Sequence, residues 1–212
     1  MTSAPAPKVY IPGEERLNIL THALGAAAAL AAAAWLTAIA KDGLQTAAGL
    51  LYGASLCILF GGSALYHAAK EPERRAKLRL LDHSAIYFLI AGTYTPLMLV
   101  AVPGKWGYAV LGFVWAVCLT GVVCELLRFK PFKGFSIVLY ILAGWACAAI
   151  LPQLVSALGR VPFLFLLAGG IAYTAGIPFY VIRKDYFHAV WHFFVLAGAV
   201  LQFVCVLMTY RA

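Results

Sequence analysis

Charge is scarce in this chain: Lys, Arg, Asp and Glu together make up 11% of 212 residues, against 64% hydrophobic residues. A soluble domain of this length has too much surface for its volume to keep that much apolar area from water. Acidic residues are the rarest charge, 8 against 16 basic. The resulting net charge of +8 is spread through short segments between apolar runs instead of forming one stripe. That pattern excludes a nucleic-acid module and fits contacts to anionic lipid headgroups. The five cysteines, Cys57, Cys118, Cys124, Cys147 and Cys205, are odd in number and form no CxxC pair. Neither a disulfide framework nor a thiolate metal site is expected, and they read as small buried hydrophobes.

What the chain has in abundance is long apolar runs without strand-like alternation. In lipid every backbone polar group needs a partner inside the protein, so runs of this kind form helices. Spans are expected near 17–40, 44–69, 80–101, 106–127, 134–153, 161–182 and 186–209. Each is long enough to cross ~30 Å of hydrocarbon. The punctuation between them includes Lys41-Asp42-Gly43, the charged run Lys70 to Arg79, Arg128-Phe129-Lys130-Pro131 and Pro152 to Pro162. The predicted fold is all-α, a polytopic seven-helix transmembrane bundle over residues 17–212. Residues 1–16, polar and Pro-rich, read as a cytoplasmic tail and not as a cleavable signal peptide.

Only Lys41, Lys105, Arg160 and Arg211 of the sixteen basic residues fall on the side opposite the N-terminus. The positive-inside rule then places the N-terminus in the cytoplasm and the C-terminus outside. Trp35, Trp106 and Tyr108 read as interfacial anchors. Glu125 and Arg128, three apart at the end of the fourth span, are expected to pair.

Ionisable groups inside lipid are costly, so their placement is informative. On this topology all five histidines, His22, His67, His83, His188 and His192, lie near one membrane face. His188 and His192 are four apart and share a helix face, the spacing that one metal ion requires. Ser63 and His67 repeat that spacing. Two histidines alone are explained equally well by backbone or water contacts; a third, with Asp82 at the same depth, favours a metal. Zinc with three histidines keeps a position open for water, and a nearby carboxylate can take that water's proton. Asp82 fits this role, although an interfacial helix cap is its other reading. Glu15, Asn18 and His22 open the first span, either as orienting partners of the ligands or as a plain polar cap. His83, about 100° around the helix from Asp82, is expected to face elsewhere. Pro96 and Pro178 lie within spans, where a kink would make room between helices.

At these positions the chain resembles the hemolysin III proteins, the bacterial branch of the progestin and adiponectin receptor family. The shared motifs are Glu15-Arg-Leu-Asn18-Ile-Leu-Thr21-His22, Ser63-x-x-x-His67, Asp82, Ala91-Gly-Thr-Tyr-Thr-Pro96 and His188-x-x-x-His192. The resemblance implies zinc held by His67, His188 and His192. It also implies that Asp82 holds a zinc-bound water and that Ser63 lies at or next to the metal. Alkaline ceramidases belong to the wider superfamily, so zinc-dependent hydrolysis of a membrane lipid amide or ester is the activity expected by analogy. A role in membrane lipid homeostasis in the bacterial cytoplasmic membrane is expected with it. The competing expectation is a receptor-like regulator of membrane state with structural zinc and no hydrolysis.

Overall fold

The computed structural model describes residues 10–132 and 134–211. Most of the expected tail, including Lys8, and the loop residue Lys133 lie outside the described residues. Helix α1 spans Pro12–Ile39, α2 Gly43–Ala68, α3 Pro72–Pro96, α4 Lys105–Leu126, α5 Phe135–Gly144, α6 Leu151–Leu158, α7 Arg160–Val181 and α8 Phe187–Arg211. A π-helical turn, Leu97–Ala101, extends α3, and a 3-10 segment, Ala146–Ile150, joins α5 to α6. Among the described residues, seven helical stretches are long and apolar enough to cross a membrane, with Phe135–Leu158 counting as one broken span. The protein is a multi-pass integral membrane protein.

The helix boundaries follow local chemistry. Pro12 and Pro72 sit in the first turns of α1 and α3, where the missing N–H costs nothing. Asp42 caps α2 by accepting a hydrogen bond from the Gln45 N–H at 2.7 Å. Gly104, Gly134 and Gly159 precede α4, α5 and α7 with φ of 120°, 89° and 72°. α1 presents an outer face of Leu20, Leu24 and Leu30, all largely exposed, and buries a stripe running from Glu14 and Asn18 to Leu36. A helix with apolar residues outside and polar ones inside fits a lipid solvent. α3 is the central helix: 67% of its most apolar window is buried, against 11% for the broken span.

Several boundaries differ from the sequence reading. α1 begins at Pro12, not at 17, so residues 12–16 of the expected tail form its opening turn. The charged run from Pro72 to Arg79 is helix and not loop, because long charged side chains reach headgroup depth without interrupting a helix. The fifth span continues to Leu158, past Pro152, which falls in the first turn of α6 where proline is tolerated. Glu125 pairs with Lys130 at 3.0 Å and accepts a bond from Ser136 Oγ at 2.6 Å, in place of the expected Arg128. Arg128 takes a left-handed conformation, φ 55°, as the chain leaves α4.

The break in the fifth span contains no proline. The helix stops after Gly144, Trp145 leaves it, and the Tyr94 hydroxyl of α3 takes over the freed backbone groups. It donates to the Gly144 carbonyl at 2.8 Å and accepts from the Cys147 N–H at 3.0 Å. Irregular backbone at membrane depth survives where protein satisfies it in this way.

Candidate metal centre

Four helix ends meet at the N-terminal end of the bundle: the starts of α1, α3 and α8 and the end of α2. They bring together three buried imidazoles, His67 from α2 and His188 and His192 from α8. One ligand atom from each lies within 4.8 Å of the other two. Their ring centroids are 4.8–5.2 Å apart.

The atoms left without partners identify what the cluster suits. His67 Nδ1 donates to Glu15 Oε2 at 2.8 Å, while His67 Nε2 is buried and makes no hydrogen bond. An orphaned buried nitrogen carries a desolvation penalty unless something occupies its lone pair. His192 Nδ1 lies 3.2 Å from Thr21 Oγ1, and the Thr21 proton is already given to the Leu17 carbonyl at 2.8 Å. Thr21 can therefore only accept, so His192 carries its proton on Nδ1 and its lone pair on Nε2. A hydrogen bond on one ring nitrogen that turns the other toward a cation is the usual arrangement of metal-binding histidine. The residues fit a divalent ion that takes imidazole ligands.

α1, which supplies none of the three histidines, does most of the positioning. Glu15 and Thr21 come from α1, and Glu14, also on α1, accepts the His188 backbone N–H at 3.1 Å. Arg75 of α3 pairs with the second oxygen of Glu15. Tyr10, just ahead of α1, lays its ring against His188 at 4.8 Å and His67 at 5.3 Å, covering the cluster from the chain-terminal side. Burial pushes the Tyr10 phenol well above its ordinary pKa, so it stays protonated. Gly13 lets this segment pass under Tyr186, whose hydroxyl would stand 2.7 Å from an added Cβ.

His22 stacks on His192, with centroids 3.6 Å apart and planes 11° from parallel, and neither of its nitrogens has a hydrogen-bond partner. It is not one of the three clustered ligands. Ser63 is buried, Asp82 half-buried, and both line a cavity of about 190 Å³ that also reaches His188 and His192. His83 also lines this cavity but is not one of the three clustered histidines, in keeping with its exclusion from the ligand set. Glu15 and Asn18 lie beside His67, as one of the two sequence readings had it, with Asn18 Nδ2 donating to Glu15 Oε2 at 3.5 Å. The supporting roles of Glu14, Thr21 and Tyr10 were missed. For Glu14 and Thr21 the one signal was the run of polar residues 14, 18, 21 and 22 on a single face of α1.

From this mouth the cavity runs into the membrane-spanning part between α3, the broken span, α7 and α8. Its wall there is largely apolar, including Leu89, Leu97, Trp145, Leu154 and Leu166.

Most of this architecture lies within a known family pattern. The family model described as "Haemolysin-III related" matches residues 11–203. The chain is 38% identical over 198 residues to Hemolysin-3 of Bacillus cereus, covering 92% of this chain and 90% of that protein. It is 35% identical over 198 residues to the Hemolysin-3 homolog of Bacillus subtilis (strain 168), covering 92% and 93%. A more distant similarity, 26% identity over 216 residues, extends to the human Monocyte to macrophage differentiation factor, covering 96% and 88%. With the match running from the turn before α1 into α8, the chain belongs to the haemolysin-III-related family.

Proposed function

We propose that this protein is a zinc-dependent hydrolase of a membrane lipid amide or ester, acting from the cytoplasmic face of a bacterial plasma membrane. The observation that carries the reading is the position of the three-histidine cluster, at the polar mouth of an apolar cavity that Asp82 and Ser63 also line. A closed structural site would need no such cavity, and a fully apolar pocket would need no such ligands.

His67, His188 and His192 would hold the ion, which supplies Lewis acidity to polarise a carbonyl and to make water a nucleophile near neutral pH. Asp82 accepts the proton of the attacking water and returns it to the leaving group. Ser63 donates a hydrogen bond to the oxygen on which charge develops. Glu15 and Thr21 keep two imidazoles in the ligating tautomer. The apolar wall receives the acyl chain and keeps bulk water from it.

In this reading the N-terminus lies inside and the C-terminus outside. The larger number of basic residues at the N-terminal end supports it, and the aromatic and basic residues at the opposite end mark the second headgroup interface. Lys105 sits over the Trp106 ring at 5.4 Å and Arg211 over Trp35 at 5.3 Å, the pairing of charge and ring that suits a headgroup interface. The exposed Phe129 and Phe132 flank Lys130 at the N-terminal end, a surface suited to anionic headgroups. Turnover of a membrane lipid from this position would give the protein a role in membrane lipid homeostasis.

The test is a mass-spectrometric screen of lipid products from reconstituted bilayers, wild type against Asp82→Ala, with the metal content of both preparations measured. Product from wild type alone, at equal zinc content, supports the hydrolase. Zinc without product from either supports the alternative, a regulator of membrane state in which the metal is structural.

A further inference from the structure

The far end of the cavity has a polar character that its surroundings do not require. Thr93 of α3, Tyr173 of α7 and Gln202 of α8 all line it. The Tyr173 hydroxyl is buried and makes no hydrogen bond. Behind Thr93 stands Tyr52 of α2, fully buried, with its hydroxyl beside Thr93. Packing fixes these groups in place. Tyr173 presses on Gly198, where an added Cβ would meet its ring at 2.7 Å, and Gln202 Cγ would meet a Cβ on Gly169 at 2.6 Å. Thr93 has spent its own proton on the Leu89 carbonyl at 2.8 Å, leaving its oxygen able to accept.

A phenol, an amide and a hydroxyl therefore converge on the cavity inside the membrane-spanning part of the bundle, and the Tyr173 hydroxyl among them has no partner. Leaving such a hydroxyl unsatisfied is costly in a low-dielectric interior. We propose that this end of the cavity is a second binding subsite, taking a hydroxyl or ketone oxygen carried partway along a lipid acyl chain whose head lies at the histidines. The proposal rests on the reading that the cavity receives a lipid chain, and it adds the class of chain. No acid or base lines this end among the described residues, so a charged group is excluded and a neutral oxygen suits the phenol and amide partners. His192 and Gln202 are both on α8, roughly 15 Å apart at the helical rise. An extended chain of about a dozen carbons covers that distance.

The test compares binding of stearate and 12-hydroxystearate to the purified, metal-loaded full-length protein. Wild type should hold the hydroxylated chain roughly three- to tenfold more tightly, the effect of one or two added hydrogen bonds. The Tyr173→Phe, Gln202→Leu double variant should bind both chains equally, with its stearate affinity unchanged. Tyr173→Phe alone deletes one oxygen and no carbon, so it keeps the comparison available should the double variant fail to fold, and it should lower the preference. Equal binding of the two chains by wild type, or a preference that survives both variants, overturns the subsite while leaving the cavity as a lipid site. Binding of neither chain, at full metal content, overturns the subsite and the lipid reading together.

Discussion

Glu15 and His67 are 52 positions apart in the chain, on α1 and α2, and a 2.8 Å hydrogen bond joins them. That contact leaves the opposite nitrogen of His67 buried and unused. Glu15→Ala should remove the anchor without removing a ligand. Affinity for zinc should fall roughly 10- to 100-fold, the usual effect of deleting a partner of a ligating histidine. Chelator competition on purified protein reads this directly; unchanged affinity would mean that the contact plays no part in the site.

Thr21→Val tests the same logic for His192 on α8. Valine keeps the shape but removes the oxygen that accepts His192 Nδ1–H. Zinc affinity should drop within the same range. Thr21→Ser, which restores the acceptor, should recover most of it.

His188→Ala and His192→Ala should each lower the metal content from about one ion per chain to a small fraction of that. Asp82→Ala should leave the metal in place and abolish lipid turnover. A preparation of Asp82→Ala that loses its zinc would move Asp82 from proton acceptor to ligand.

The sequence revealed the spans and the convergence of histidines, because both depend on hydropathy and on counting crossings. Lys70 to Arg79 misled for a reason of depth: hydropathy measures what lipid will hold, and α3 extends through eight charged or flanking positions beyond that. The break at Gly144 was illegible, since Gly144-Trp145-Ala146-Cys147 is as apolar as its neighbours and the causal residue, Tyr94, is on another helix. Thr21 and Glu14 were hidden likewise, as ordinary polar residues whose roles appear only once α8 is packed against α1. Partner choice within a polar cluster depends on packing that spacing alone does not specify. For Glu125 the chain turns at Arg128, which directs Lys130 to the carboxylate.

Tyr94→Phe should destabilise the bundle by about 1–3 kcal/mol, because it strips both the Gly144 carbonyl and the Cys147 N–H of their partner. A lowered unfolding midpoint in detergent would show it. A midpoint equal to wild type would mean that the backbone finds other partners.

Gly53 lies where α2 crosses α1, and a Cβ there would sit 2.4 Å from the Ala33 Cβ and 2.9 Å from its Cα. Gly53→Ala should therefore cost about 1–3 kcal/mol through forced separation of the helices. Gly61→Ala, with nothing within 4 Å of its added carbon, is the matched control and should leave the unfolding midpoint unchanged or raise it slightly, since alanine favours helix.

The cluster draws its ligands from α2 and α8, and its braces from α1. A ribosome therefore delivers Glu15, Thr21 and His67 to the bilayer long before His188 and His192 emerge. Until the final hairpin enters, a nascent chain offers the ion a single imidazole. On the proposed zinc reading, the ion is acquired after synthesis is complete, and a product truncated before α8 should be metal-free however well its first six crossings had inserted.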